Sequence, residues 1–346
     1  HYTLITGLYP DHHGIIDNDI ADRNIQPEPF RMTRPHTTVD PRWWSEATPL
    51  WVTIQRDGMR AAAMDWPNGY VRIDGARLYL HRNGKQAGNA AEETSTVIRW
   101  LSLPEDRRPR LILLHYGAVD HEGHLYGPDS PELDDALREV DAAIGRLIAA
   151  LEQDGLYDDA DLIVVSDHGM ASVPPGQKIY LDDIIDPRAA RIVTLGAESG
   201  INPRRSMRGD EATAALLEPH AHMRCWRKHD LPEHLHYGRN PRAPALECIA
   251  SPGWIITTHR ARTPLTHPLR GDHGYDNLAW SMRALFIAEG PSFRQGLVVP
   301  PFPNVDIYPL LAHILEVAPE KNDGNFSDVE PMLKPGGPLN GRMHSP

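Results

Sequence analysis

The sequence predicts an α/β fold on a parallel sheet, and three segments carry that expectation. Leu111-Ile112-Leu113-Leu114 and Leu162-Ile163-Val164-Val165 are short apolar runs, the pattern of strands buried on both faces. Between them Leu133, Leu137, Val140, Ile144, Leu147, Ile148 and Leu151 recur at three- and four-residue steps, which puts them on one face of a helix. Strand, helix and strand with short links form a βαβ unit, so the two strands are expected to run parallel with a right-handed crossover.

Along the chain, Ala61-Ala62-Ala63-Met64 reads as a strand, ending in a loop over residues 65–69. Residues 94–103 read as a helix stopped by Pro104, and residues 117–128 as a loop after the first apolar run. Ser130 is placed to cap the long helix, with Pro131 at its first position, where a missing N–H is harmless, and Gly155 as its stop. The stretch 174–270 is rich in Pro, Arg and His and only weakly periodic; it reads as an insertion or lid subdomain containing both cysteines. Residues 283–288 restore a core strand, and 307–317 form a helix with Pro309 tolerable in its first turn. After Asn322 the chain is Gly- and Pro-rich and is expected to be irregular. The expected division is a catalytic core of residues 1–173 and 271–330, the insertion 174–270 and an irregular tail 331–346.

The chain has 346 residues and a formal net charge of -12, and no Lys/Arg block interrupts that balance. Such a surface repels a polyanion on average, so stable nucleic-acid binding is not expected. A small phosphorylated substrate remains compatible, because a bound metal reverses the field locally. No apolar run reaches the roughly 18 residues needed to cross a bilayer. Cys225 and Cys248 are too far apart for a CxxC motif, and composition leaves open two buried thiols or one disulfide.

Three clusters join Asp and His to glycine: Asp120-His121-Glu122-Gly123-His124, Asp167-His168-Gly169 and Asp272-His273-Gly274-Tyr275. Mixed imidazole and carboxylate donors suit zinc or a similar first-row divalent ion. A glycine beside each donor lets the backbone turn tightly around an ion. Five plausible ligands exceed one tetrahedral ion and suit two incomplete sites. Singly, each cluster is more often a turn than a ligand set. Two of them follow the carboxyl ends of predicted strands, which is where ligands bind in such sheets.

These segments resemble the nucleotide pyrophosphatase/phosphodiesterase branch of the alkaline phosphatase superfamily. Asp120 to Pro128 fits its D-x-x-G-H-x-x-G-P pattern, Ser166-Asp167-His168-Gly169-Met170 its SDHGM motif, and His273-Gly274-Tyr275-Asp276-Asn277 its H-G-Y-D-N segment. The opening His1-Tyr2-Thr3-Leu4-Ile5-Thr6-Gly7-Leu8-Tyr9-Pro10 resembles the stretch that follows the family's catalytic threonine. Asn304-Val305-Asp306-Ile307-Tyr308 and Asn322-Asp323-Gly324-Asn325 also fit, so the resemblance runs through nearly the whole chain.

The resemblance implies an alkaline-phosphatase-like three-layer α/β/α fold with a mostly parallel central sheet, its first strand and nucleophile segment lying upstream of His1. It implies two divalent ions, zinc by expectation, one held by Asp120, His124 and His273 and the other partly by Asp167 and His168. Asn18 matches the asparagine that contacts the phosphoryl oxygen, whereas His12 and His13 are expected to be structural. His115, Tyr116 and Trp66 are candidate pocket residues, with core and loop packing an equal reading. The substrate is expected to be a small phosphodiester or nucleotide, attacked by a threonine upstream of this chain. As given, the chain is therefore expected to be catalytically silent and its extended form active. Resemblance to secreted and periplasmic relatives also implies a Cys225–Cys248 disulfide and a periplasmic or secreted location. The alternatives are another hydrolase of the superfamily (phosphonate hydrolase, phosphomonoesterase or sulfatase) or a non-catalytic metal- or nucleotide-binding fragment.

Overall fold

The computed structural model describes residues 1–25, 27–83, 89–261 and 269–335. The central sheet begins with β1 (Ala61–Met64), whose four residues are all buried. It pairs in parallel with β2 (Leu80–Arg82) and, after helix α1 (Ala90–Leu101), with β3 (Leu111–Leu114). Helices α2 (Ala118–Tyr126) and α3 (Pro131–Gln153) follow, and then strand β4 (Leu162–Val165). Short strand β5 (Ala171–Ser172) leads into β6 (Ala190–Ile192), β7 (Glu198–Pro203), helix α4 (Met207–Leu217), β8 (Met223–Arg227) and β9 (Leu246–Ala250). The chain returns through β10 (Gly271–Asp272) and β11 (Phe286–Glu289) to helices α5 (Ile307–Ile314) and α6 (Phe326–Val329).

The strands' two faces bury against different helices. Ala61, Ala63 and Leu113 pack with Trp51 and Ile54 of the helix Leu50–Arg56 and with Tyr308 and Ala312 of α5. Met64, Ile112 and Leu114 pack with Val97 of α1 and Leu147 and Leu151 of α3. Helices on both faces of a parallel ladder make the three-layer α/β/α arrangement. The long helix forms as its sequence dictates: Ser130 Oγ accepts from the Leu133 N–H at 3.2 Å, and Pro131 opens it.

Several elements differ from the expectation. The βαβ crossover does not join neighbours: among the described residues β3 pairs with β1, while β4 pairs antiparallel with β11 from Phe286↔Val165 to Glu289↔Leu162. Partner choice is non-local, so two apolar runs cannot by themselves specify each other. Both strands are also less buried than their sequences suggest, β4 being half-buried throughout. The expected core strand at 283–288 begins at Phe286 and alternates, leaving Ile287 exposed.

The helix expected at 94–103 starts earlier, because Asn89 caps it through its side chain onto the Glu92 N–H. The helix expected at 307–317 ends at Ile314. The segment after Asn322 is ordered as far as the described residues reach. Asn325 caps α6, and Val329, Met332 and Leu333 pack with Phe293 and Leu310. Residues 262–268 of the expected insertion and 336–346 of the expected tail lie outside the described residues.

The weakly periodic stretch holds an antiparallel sheet of order β8-β9-β7-β6 with α4 packed near it. Its core includes Leu181, Ile201, Leu216, Leu246, Cys248 and Ile256, and the same cluster extends to Ala171, Tyr275 and Met282. Four of the five β9 residues are buried, so no polar–apolar alternation marks that strand in the sequence. Cys225 and Cys248 stand opposite one another on β8 and β9 and are joined by a disulfide, with S–S 2.00 Å.

Candidate metal centre

The Asp120–His124 segment, expected as a loop, is helical, and this brings its two donors together. On α2 they lie one turn apart on one face, with His124 Nε2 3.5 Å from Asp120 Oδ1. Gly123 is therefore no turn residue but a packing residue. A Cβ there would meet Met170 Cε at 3.0 Å, and one at Gly271 would run into the Gly123 carbonyl oxygen. Gly169 has the same use, since a Cβ would strike the Ser281 carbonyl oxygen. Of the three cluster glycines only Gly274 has a positive φ, +97°.

The ladder of β5 with β10 pairs Ala171 with Asp272 and Ser172 with Gly271. It lays Asp167-His168 beside Asp272-His273, although about a hundred residues separate them in sequence. His273 Nε2 lies 3.4 Å and His168 Nε2 4.0 Å from Asp120 Oδ1, and the His168 and His273 rings stack at 3.5 Å. Asp167 Oδ2 is 3.4 Å from His168 Nε2.

Backbone carbonyls set two tautomers. His124 Nδ1 is 2.9 Å from the Gly271 carbonyl and His168 Nδ1 2.9 Å from the Gly169 carbonyl. A carbonyl only accepts, so each Nδ1 carries the proton and each Nε2 keeps a lone pair directed at the centre. Asp120 Oδ1 is buried without a hydrogen-bond partner.

One atom each of Asp120, His124 and His273 lie within 4.8 Å of one another. Their 3.4–3.5 Å spacings to Asp120 are long for hydrogen bonds. They match the edge of about 3.4 Å expected for a tetrahedron of 2.0–2.1 Å metal bonds. The donor set fits a first-row divalent ion.

Electrostatics agree with that fit. Burial pushes Asp120 up, but His273, His124 and His168 outweigh it and leave its carboxyl below the usual range. Burial lowers His168, partly offset by Asp167. His273 is raised despite its burial, because Asp120, Asp272 and Asp167 surround it. Asp272, which sequence reasoning quoted without giving it a role, braces the centre. Its Oδ1 accepts the His273 N–H at 3.0 Å, its Oδ2 accepts the Ala197 N–H at 3.1 Å, and His124 Nδ1 lies 3.7 Å away. The signal available for it was adjacency to a candidate ligand histidine on a short strand.

The other predicted residues are placed less uniformly. Trp66 and His115 both meet the His1 ring, at 5.2 and 4.7 Å, and His1 Nδ1 is 3.4 Å from Asp167 Oδ2. Tyr116 instead turns its hydroxyl to Thr94 Oγ1 at 2.6 Å. Asn18 is exposed, and its carbonyl accepts the Met32 N–H. His13 is buried between Thr3 Oγ1 and the Ile15 N–H, and burial depresses its pKa to about 3. His12 pairs with Asp323 at 2.7 Å.

The family described as type I phosphodiesterase / nucleotide pyrophosphatase matches residues 1–276. An uncharacterized pyrophosphatase/phosphodiesterase of Schizosaccharomyces pombe is 34% identical over 344 residues, 96% of this chain and 71% of that protein. A bis(5'-adenosyl)-triphosphatase of Xenopus laevis is 33% identical over 336 residues, with coverage of 96% and 71%. Among solved structures, murine ectonucleotide pyrophosphatase/phosphodiesterase 5 superposes with a TM-score of 0.89 at 31% identity, covering 96% of this chain and 87% of its own. That murine protein has also been solved as an inactive threonine-to-alanine variant in complex with AMP, with the same TM-score of 0.89.

Proposed function

Since the chain belongs to the type I phosphodiesterase / nucleotide pyrophosphatase family, we propose that it serves the hydrolysis of a phosphodiester or phosphoanhydride bond in a nucleotide-sized substrate. The family is metal-dependent, and the observation that carries the reading is the convergence of Asp120, His124 and His273 on one point. We assign them to one zinc ion, and Asp167 and His168 to part of a second. Bound there, the ions would supply Lewis acidity at the phosphoryl oxygens and lower the pKa of a bound hydroxyl.

The chain's own residues would do the rest. Asp120 and Asp167 would offer carboxylate oxygens to the ions, and the Gly271 and Gly169 carbonyls keep the His124 and His168 rings in the donor orientation. Asn18 would donate its amide N–H groups to a non-bridging phosphoryl oxygen. The attacking hydroxyl is assigned to a threonine preceding His1. Trp66 and His115 flank Asp167 through His1, a position suited to the substrate's leaving portion. Residues 174–270 are assigned to an insertion beside the core. The disulfide favours an oxidising compartment, in line with a periplasmic or secreted protein. Among the described residues no helix is long and apolar enough to cross a membrane.

The test is turnover of bis(4-nitrophenyl) phosphate and of ATP by the protein extended upstream of His1, with and without zinc and a chelator. Chelator-sensitive hydrolysis of both, lost in His273→Ala, is expected. Absence of turnover in the zinc-loaded extended protein would refute the reading.

A further inference from the structure

Arg242 lies in the connection between β8 and β9, yet its side chain is 4% exposed and buried against the N-terminal part of the chain. The disulfide closes this connection at its base, since Cys225 and Cys248 stand on the two strands that it joins. Its far end is held at Asp11. There the N–H groups of Gly238 and Asn240 donate to Asp11 Oδ1 at 2.9 Å each, and the Arg239 N–H donates to Asp11 Oδ2 at 2.8 Å. Consecutive amides around one carboxylate form a nest, so the backbone is fixed just before Arg242.

Arg242 then presents five N–H donors in a rigid planar fork. Nε donates to Asp22 Oδ2 at 3.0 Å. Nη1 donates to the carbonyls of Gly14 at 2.8 Å and Trp43 at 3.0 Å. Nη2 donates to the Arg42 carbonyl at 3.2 Å and lies 3.1 Å from Glu46 Oε1. The guanidinium also lies over the Trp43 ring, 5.3 Å from its centre. Each nitrogen thus has its acceptors, and two carboxylates face the buried cation. Gly14 shows how close the fit is. Its φ is +76°, and a Cβ on it would meet Arg242 Nη1 at 2.6 Å and Glu46 Oε1 at 2.7 Å.

Two of these acceptors bracket Asn18. Gly14 and Asp22 stand at equal distances before and after it in the sequence, so one guanidinium holds both ends of the segment that carries it. Within the segment Ile16 and Ile20 are buried in the same core cluster as Trp43, while Asn18 is exposed. A polar side chain that must meet a phosphoryl oxygen needs a fixed backbone beneath it.

We propose that Arg242 is a positioning residue for hydrolysis: by holding Gly14 and Asp22 in one buried guanidinium, it fixes the backbone from which Asn18 reaches the phosphoryl oxygen. The catalytic part rests on the reading of Asn18 given above; the anchoring of residues 14–22 does not. The connection between β8 and β9 then serves a centre whose candidate ligands all lie outside it.

The test uses the zinc-loaded protein extended upstream of His1. Lysine keeps a positive charge beside Asp22 and Glu46 but lacks the fork, so Arg242→Lys should release the Gly14 and Trp43 carbonyls. Hydrogen exchange of residues 14–22 is expected to speed up by about tenfold or more, with α3 unchanged. Turnover of bis(4-nitrophenyl) phosphate should lose about tenfold or more in kcat, with KM altered by less than about threefold. A residue that acts through Asn18 has nothing left to lose once that side chain is gone. In the Asn18→Ala protein, Arg242→Lys is therefore expected to cost less than about twofold further in kcat. Additive losses would overturn the positioning role, since Arg242 would then act on stability alone. Unchanged exchange at residues 14–22 would overturn the anchoring. Asp22→Asn, which keeps the shape but removes the charge facing Nε, should move exchange and kcat in the same direction and serves if Arg242→Lys does not fold. Faster exchange confined to residues 14–22 in a protein without hydrolysis would support the anchoring while sinking the diesterase reading.

Discussion

Asp120 Oδ1 is the atom around which the centre is organised: buried, without a hydrogen bond, and faced by three imidazole nitrogens 3.4–4.0 Å away. Removing one donor should remove the site, so after loading with zinc His273→Ala is expected to retain less of it than the wild type, as elemental analysis after gel filtration would show. Retention of zinc by the variant would disprove the ligand assignment. Asp272→Asn tests the bracing role: it keeps the shape but weakens the hold on His273, and a 10–100-fold loss of zinc affinity is expected by competition with a chromogenic chelator. Imidazole must be unprotonated to bind metal, and Asp120 draws a proton to His273 in the metal-free centre. Zinc affinity should therefore fall by about tenfold per pH unit below the His273 pKa, which lies above the ordinary imidazole value. An affinity constant from pH 8 to pH 6 would contradict the convergence.

Two elements hold these residues in place, and each has a weak point. Helix α2 touches β10 through facing glycines, so Gly271→Ala should force the two apart at the Gly123 carbonyl. A destabilisation of about 2 kcal/mol or more is expected, with loss of the His124 hydrogen bond to Gly271 and of metal affinity. A variant that binds zinc normally would show that the approach has slack. The cap of α3 is separable from the centre. Ser130→Ala should cost about 1 kcal/mol in chemical denaturation and leave zinc stoichiometry unchanged.

Across the whole molecule, the core and the antiparallel sheet are held by different means. Packing of helices on both faces of the parallel ladder holds the core. The sheet adds a covalent tie between β8 and β9, which closes a loop with a sequence separation of 23. Replacing Cys225 and Cys248 together by alanine should lower unfolding free energy by about 3 kcal/mol, as loop closure in the unfolded chain predicts. Two thiols titrating in the folded, unreduced protein would show that the bond does not form. The loss should fall on the antiparallel sheet, leaving zinc binding at Asp120 intact.

The sequence by itself determined the family, because its motifs set particular residue types beside residues that permit close approach. Asp120, His124 and His273, which the structure brings together, could be named as candidate ligands from their motifs, as could Asp167 and His168. Helix α3 was equally legible, since its cap and its apolar face are local. Tertiary structure decided which strand pairs with which: β4 takes β11, hydrogen-bonding to residues more than a hundred positions away. It also decided that the Asp120–His124 segment is a helix, because its glycine serves packing against Gly271 rather than a turn. The burial of Glu247, which is 4% exposed, was beyond sequence reasoning for the same reason. An acidic residue reads as surface until the strands that cover it are known.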